Sequence, residues 1–179
     1  NQISILYGAS ASDWNLKLFS PAIGAVARTN GQMDSDLYFF NGDDLSSLTA
    51  TQAFGDFESA SVSAVVKPFI DARKSNTVGA TVNRDKNQYR LFFDDKSVLV
   101  GTIINRQVVG FTTWRLEHTP SFITEKYMGC TDGSVMYMDN GVSFNGTAIQ
   151  SYLRLPFTSF NTPHRKKRFR KATLELEAG

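Results

Sequence analysis

Apolar and polar residues alternate with a period of two along most of this chain, which commits it to strands rather than helices. Ile3-Ser4-Ile5-Leu6-Tyr7 opens as a strand, and Trp14-Asn15-Leu16-Lys17-Leu18-Phe19 alternates as a half-buried strand should. Pro21 and Gly24 interrupt the pattern after Phe19. Leu37-Tyr38-Phe39-Phe40 is a compact aromatic strand ending at Asn41-Gly42, a dipeptide that tolerates positive φ and marks a hairpin, with Leu45 to Thr51 as its return. Further strands are expected at Val78–Val82, Gln88–Phe93, Ser97–Ile104, Val108–Glu117, Phe122–Cys130, Ser134–Met138, Ile149–Leu155 and Phe169–Glu177. Turns are expected at Asp94-Asp95, Asn105-Arg106, Thr131-Asp132-Gly133, Asn140-Gly141 and Asn145-Gly146. Ser59–Val66 is either a strand or the approach to the one helix the pattern allows. That helix spans 68–74, with Pro68 in its first turn and Arg73-Lys74 at the end of its dipole.

About a dozen short strands and at most one short helix define an antiparallel all-β chain. Three segments share one grammar: an aromatic strand, an acidic or amide turn, then an apolar return. Their turns begin at Asn41, Asp94 and Asn140, at intervals of 53 and 46 residues. A propeller blade takes about 40–50 residues, so 179 residues hold about four. The expectation is a single all-β domain over 1–179, arranged as a propeller-like array of about four blades, with a β-sandwich as the alternative. A start at Asn1 in place of Met reads as the start of a fragment or a processed product.

With 41% hydrophobic and 20% charged residues, the composition is that of a folded domain and not a disordered one. No apolar run approaches the ~20 residues that cross a bilayer, and no cleavable signal opens the chain. The net charge of +2 conceals a local cluster. Arg165, Lys166, Lys167, Arg168, Arg170 and Lys171 hold six of the 19 basic residues, leaving 13 against 17 acidic ones elsewhere. Such a cluster can meet DNA or an acidic neighbouring subunit, or simply flank a strand in solvent.

Catalytic signatures are lacking. Two histidines, His118 and His164, and one cysteine, Cys130, form no close-spaced zinc pair, and Cys130 reads as a small buried hydrophobe. No local Ser-His-Asp grammar surrounds His118, and no Gly-rich phosphate loop is present. Asp43-Asp44, Asp94-Asp95 and Asp139-Asn140 offer carboxylates for calcium, yet none has the alternating register of a calcium loop, and hairpin turn chemistry explains them. Two acids from separate blades could still form a glycosidase pair, a weaker enzyme option. No cofactor and no enzymatic activity are expected.

Four segments carry a resemblance. They are Ala25-Val26-Ala27-Arg28-Thr29 leading to Asp36–Phe40, Arg84 to Phe93, Gly133 to Asp139 with Gly141 to Gly146, and Ile149 to Phe157 followed by Lys167 to Lys171. Together they resemble tailed-bacteriophage tail proteins, nearest the tail nozzle (tail tubular protein B-like) class and related virion β-propeller proteins. The resemblance implies a structural virion protein, made in the host cytoplasm and built into the phage tail. It implies a homo-oligomeric ring with other virion subunits as partners, DNA as a candidate ligand of the basic cluster, and no membrane. No catalytic residue transfers. The alternative is a carbohydrate- or protein-binding β module of receptor-binding type, with Trp14, Trp114, Tyr127 or Tyr152 as groove aromatics.

Overall fold

The computed structural model describes residues 2–20, 24–54, 61–144, 146–152, 164–168, 171 and 173. Two units divide the chain, Asn1–Ala148 and Ile149–Gly179. The first is an antiparallel all-β assembly of small sheets, each a hairpin or meander of chain neighbours. β1 (Ile3–Tyr7) and β2 (Asn15–Ser20) form a hairpin. β3 (Gly31–Met33), β4 (Asp36–Phe40) and β5 (Leu45–Ser47) form a three-stranded meander. β6 (Thr77–Asn83), β7 (Gln88–Phe93), β8 (Ser97–Ile104) and β9 (Gln107–Arg115) form a four-stranded one. β10 (Pro120–Ile123), β11 (Tyr127–Cys130) and β12 (Val135–Tyr137) make the next, and β13 (Ser143–Phe144) pairs with β14 (Thr147–Ala148).

The central strands β7 and β8 are covered on both faces, which explains why they are apolar almost without alternation, whereas the edge strand β9 has no buried residue. Tyr89, Leu91 and Phe93 of β7 join Met33, Tyr38, Phe40 and Leu45 of the preceding sheet in one core. Phe92 faces the other way, packing with Val98, Val100, Met128 and Cys130 in a second core. Each fully buried Phe contributes about 1.5–3 kcal/mol. The sheets thus stack face to face. Their first strands also adjoin: β6 lies against β3 and β10. The Ala80 N–H donates to the Arg28 carbonyl at 2.7 Å. A Cβ on buried Gly79 would stand 3.1 Å from that carbonyl oxygen and 3.7 Å from Ile123 Cδ1. β6, β10 and the turn leading into β3 therefore meet at Gly79, where only a hydrogen fits without displacement. No closed barrel or propeller is formed among the described residues.

Several segments differ from the period-two expectation. The return expected over Leu45–Thr51 stops at Ser47, and Leu48–Phe54 is a helix, α1. Capping decides this: Ser47 Oγ accepts from the Ala50 N–H at 3.1 Å, and the Asp36 carboxylate accepts from the Thr49 N–H at 3.0 Å. The expected helix at 68–74 is present as α2 (Lys67–Asp71), with Pro68 in its first turn, between 3₁₀ turns at Ala64–Val66 and Lys74–Asn76. Among the described residues, two short α-helices thus stand where the pattern allows one. Phe122–Cys130 is broken in two because Thr124 Oγ1 bonds the Tyr127 backbone in a tight turn. The third repeated turn, at Asn140, is not a hairpin: β12 pairs back on β11, and β13 with β14. Among Ile149–Tyr152, expected in a strand, none is in one. Leu153–Leu155 lie outside the described residues, as does the expected last strand Phe169–Glu177 except for Lys171 and Thr173.

Candidate functional site

The basic cluster belongs to the second unit. Seven basic against two acidic residues make that unit positive, while Asn1–Ala148 carries twelve against fifteen. Arg165, Lys166, Lys167, Arg168 and Lys171 are all exposed and outside regular structure. Arg170 lies outside the described residues. Several exposed cations within so short a segment suit a polyanion contact, since phosphate attraction needs charge density more than a shaped pocket.

Asp43, Asp71 and Asp95 are paired with cations. Lys67 on α2 reaches Asp43 at 2.7 Å and Asp71 at 3.0 Å, and Lys74 reaches Asp43 at 2.6 Å. Hydrogen bonds from Lys67 and Lys74 hold the Asp43 carboxyl below the usual carboxylate range. Desolvation works against the Lys67 charge, but the bonds to Asp43 and Asp71 outweigh it and hold the ammonium above its ordinary value. Asp95 pairs with Arg73 at 2.8 Å, and Arg73 lies 4.1 Å over the Phe69 ring. Apart from Asp71, four residues from Lys67, the ion-pair partners lie 22 to 31 residues apart in sequence and are invisible to a reading of local turn chemistry. Among the described residues, no cluster of three or more His, Cys, Asp or Glu side chains could hold a metal ion.

Asp139 has the most elaborate partners. It accepts from the Arg90 guanidinium at 2.6 and 3.1 Å, from Lys86 at 2.9 Å and from Asn83 at 2.8 Å. Arg90 is fully buried, bonded also to Gln88, and stacked 4.5 Å over the Trp114 ring. Burial disfavours the Asp139 charge, yet the Arg90 and Lys86 bonds prevail and hold its carboxyl low. The cluster ties β7 to the segment after β12 and is structural.

His118, Asp132 and Ser134 come together, but in the wrong order for a nucleophile. His118 Nδ1 is 2.7 Å from Asp132 Oδ2, and Ser134 Oγ donates to Asp132 Oδ1 at 2.6 Å. Bonds from Ser134, ahead of the one from His118, lower the Asp132 carboxyl to about 2. The hydroxyl thus bonds the carboxylate instead of the imidazole, so the histidine cannot take its proton. Cys130 is a free thiol buried in the second core.

Of the groove aromatics expected from sequence, Trp14, Tyr127 and Tyr152 are exposed, and Trp114 is half-buried beneath Arg90. Tyr127 is joined by Tyr137, their rings 5.1 Å apart on β11 and β12. Two clefts flank the sheets. One of about 110 Å³ is lined by Arg28, Gly79, Ser121 and Phe122, and an apolar one of about 200 Å³ by Ile3, Ile5, Leu37, Phe39 and Leu48. Both fall short of the ~300 Å³ at which small-molecule sites begin. What stands out is open apolar surface: Leu6, Trp14, Leu16 and Leu18 on the first hairpin, and Phe122, Tyr127, Val135 and Tyr137 on the β10–β12 sheet. Strict alternation signals such strands without revealing which face stays uncovered. No helix among the described residues is long and apolar enough to cross a membrane. No protein-family model, curated protein or solved structure matches the chain.

Proposed function

We propose that this chain is a structural assembly module of a phage tail, built as part of a propeller-like array of about four blades and contributing to an oligomeric nozzle that retains and passes DNA. The supporting observation is the stack itself: successive antiparallel meanders packed face to face, with β3, β6 and β10 side by side. That is how blades surround an axis. The resemblance of its sequence segments to tail proteins gives the biological setting, the virion. The exposed basic segment supplies a surface for DNA or for an acidic neighbour.

Sedimentation equilibrium tests the assembly role: the expected mass is a multiple of 19.9 kDa. Fluorescence anisotropy with a mixed-sequence DNA duplex tests the second part. If the six cations of residues 165–171 meet phosphates, log affinity falls with log salt at a slope of about −5. Salt-independent binding, or none at low salt, removes the DNA contact. A carbohydrate-binding role is the second reading, favoured by the exposed Tyr127–Tyr137 pair.

A further inference from the structure

We propose that Asn140 is a self-modifying residue: its side-chain amide is converted to an acid by the backbone nitrogen of Gly141 and water, without an enzyme. The Gly141 nitrogen attacks Cγ of Asn140. A C–N bond forms there, the amide's own C–N bond breaks, and ammonia leaves with the proton of the Gly141 nitrogen. Water then opens the cyclic imide. Opening at the side-chain carbonyl gives aspartate, and opening at the main-chain carbonyl gives isoaspartate, in which the chain runs through the side-chain carboxyl. Amide and water become acid and ammonia, and nothing is oxidised or reduced.

Four dipeptides have the sequence for this step: Asn30-Gly31, Asn41-Gly42, Asn140-Gly141 and Asn145-Gly146. Glycine, with no Cβ, shields its own nitrogen least. Local sequence ranks the four alike, and the fold separates them. Gly31 is fixed in β3 opposite Tyr38, and a Cβ there would overlap the Val82 Cγ2 methyl. Ring closure at Asn30 therefore has to disturb the β3–β4 pairing. The Asn41 amide is tied at three points. Its Oδ1 accepts from the Asp43 and Asp44 N–H groups, each at 2.8 Å, and its Nδ2 donates to Ser46 Oγ at 3.0 Å. In the fourth pair the attacking nitrogen is engaged, since the Gly146 N–H donates to Ser143 Oγ at 3.2 Å.

Asn140 has none of these restraints. It is exposed and outside regular structure, between β12 and β13. Neither its amide nor the Gly141 N–H has a hydrogen-bond partner among the described residues. Gly141 takes a φ of 84°, and nothing stands within 4 Å of where its Cβ would be, so the peptide has room to rotate. The residue before it is fixed, because Asp139 is anchored by Arg90, Lys86 and Asn83. The new carboxylate thus arises beside a carboxylate that faces two cations, Arg90 and Lys86. That surplus of positive charge lets the fold accept the product.

The test is peptide mapping by mass spectrometry on the full chain, incubated folded in mildly alkaline buffer and, in parallel, unfolded in urea. The amide-to-acid mass change is followed at all four sites, and isoaspartate is read by methylation with an isoaspartyl methyltransferase. In urea, where only local sequence counts, the four are expected to react at similar rates. In the folded chain Asn140 is expected to keep its unfolded rate, while the other three slow by at least about tenfold, the rate effect of first breaking a hydrogen bond. Ser143→Ala, at an exposed position, frees the Gly146 nitrogen and is expected to raise the Asn145 rate about tenfold. Asn140→Asp is expected to unfold at the same temperature as the unaltered chain. An Asn140 rate that falls on folding as far as the others, or another of the four outpacing it, overturns the proposal. No gain at Asn145 in Ser143→Ala overturns the account of what restrains the slow sites. A lowered unfolding temperature for Asn140→Asp overturns the claim that the fold accepts the product.

Discussion

At the scale of single residues, the Arg90–Asp139 pair carries the largest electrostatic stake. Arg90 has no access to water, so removing its partner strands a buried charge. Asp139→Ala is expected to cost about 3 kcal/mol in urea unfolding, and Arg90→Met much less, because Met removes the charge along with the pair. The sign of the pH effect follows from the lowered carboxyl of Asp139. A group depressed on folding stabilises fully above its unfolded value, near pH 4, and ceases to do so as the pH falls through its folded value. The stability gap between the unaltered chain and Asp139→Ala should therefore narrow in acid. Two buried tyrosines make a second contrast. Tyr38 Oη has no partner among the described residues, and burial, ahead of the nearby Asp36, pushes its hydroxyl up to about 12. Tyr89 donates to the Thr29 carbonyl. Tyr38→Phe should be neutral or stabilising, while Tyr89→Phe should cost about 1–2 kcal/mol, measured by the shift in urea midpoint. Neither difference is legible in sequence, where both tyrosines sit in aromatic strands. The partners of Tyr89 and Asp139 lie 60 and 49 residues away.

Elements are legible wherever local chemistry decides them. The turn at Asn105-Arg106 joins β8 to β9 in two residues, with φ of 52° and 64°, the geometry of a primed hairpin turn. Arg106 bears this conformation with a Cβ, so Arg106→Gly is expected to raise stability by about 0.5–1 kcal/mol in thermal unfolding. β7 and β8 are legible as strands from aromatic and β-branched density, and their burial on both faces accounts for their weak alternation. Helix α1 is legible only through Ser47, its local cap; the second cap, Asp36 to the Thr49 N–H, comes from a neighbouring strand. β3, β13 and β14 span only two or three residues each, too short for any period to register. The exposed basic segment is visible as composition alone, whereas the two apolar faces require knowing which side of each sheet is covered.

Within Asn1–Ala148, the organising feature is a set of sheets stacked face to face around adjoining first strands. The same stack explains the burial of β7 and β8 and the two cores on either side of them, and it leaves apolar residues exposed on the first hairpin and on the β10–β12 sheet. A mildly acidic first unit contrasts with a basic second unit. At Gly79, β6 meets the turn leading into β3 through the Arg28 carbonyl and meets β10 through the Ile123 δ-methyl. A methyl-resolved nuclear Overhauser spectrum of the full chain tests this point directly. Cross-peaks are expected from the Gly79 α-protons to both the Ile123 δ-methyl and the Arg28 β-protons. Cross-peaks to neither, in a protein whose β6–β7 pairing is intact, would contradict the stacked arrangement.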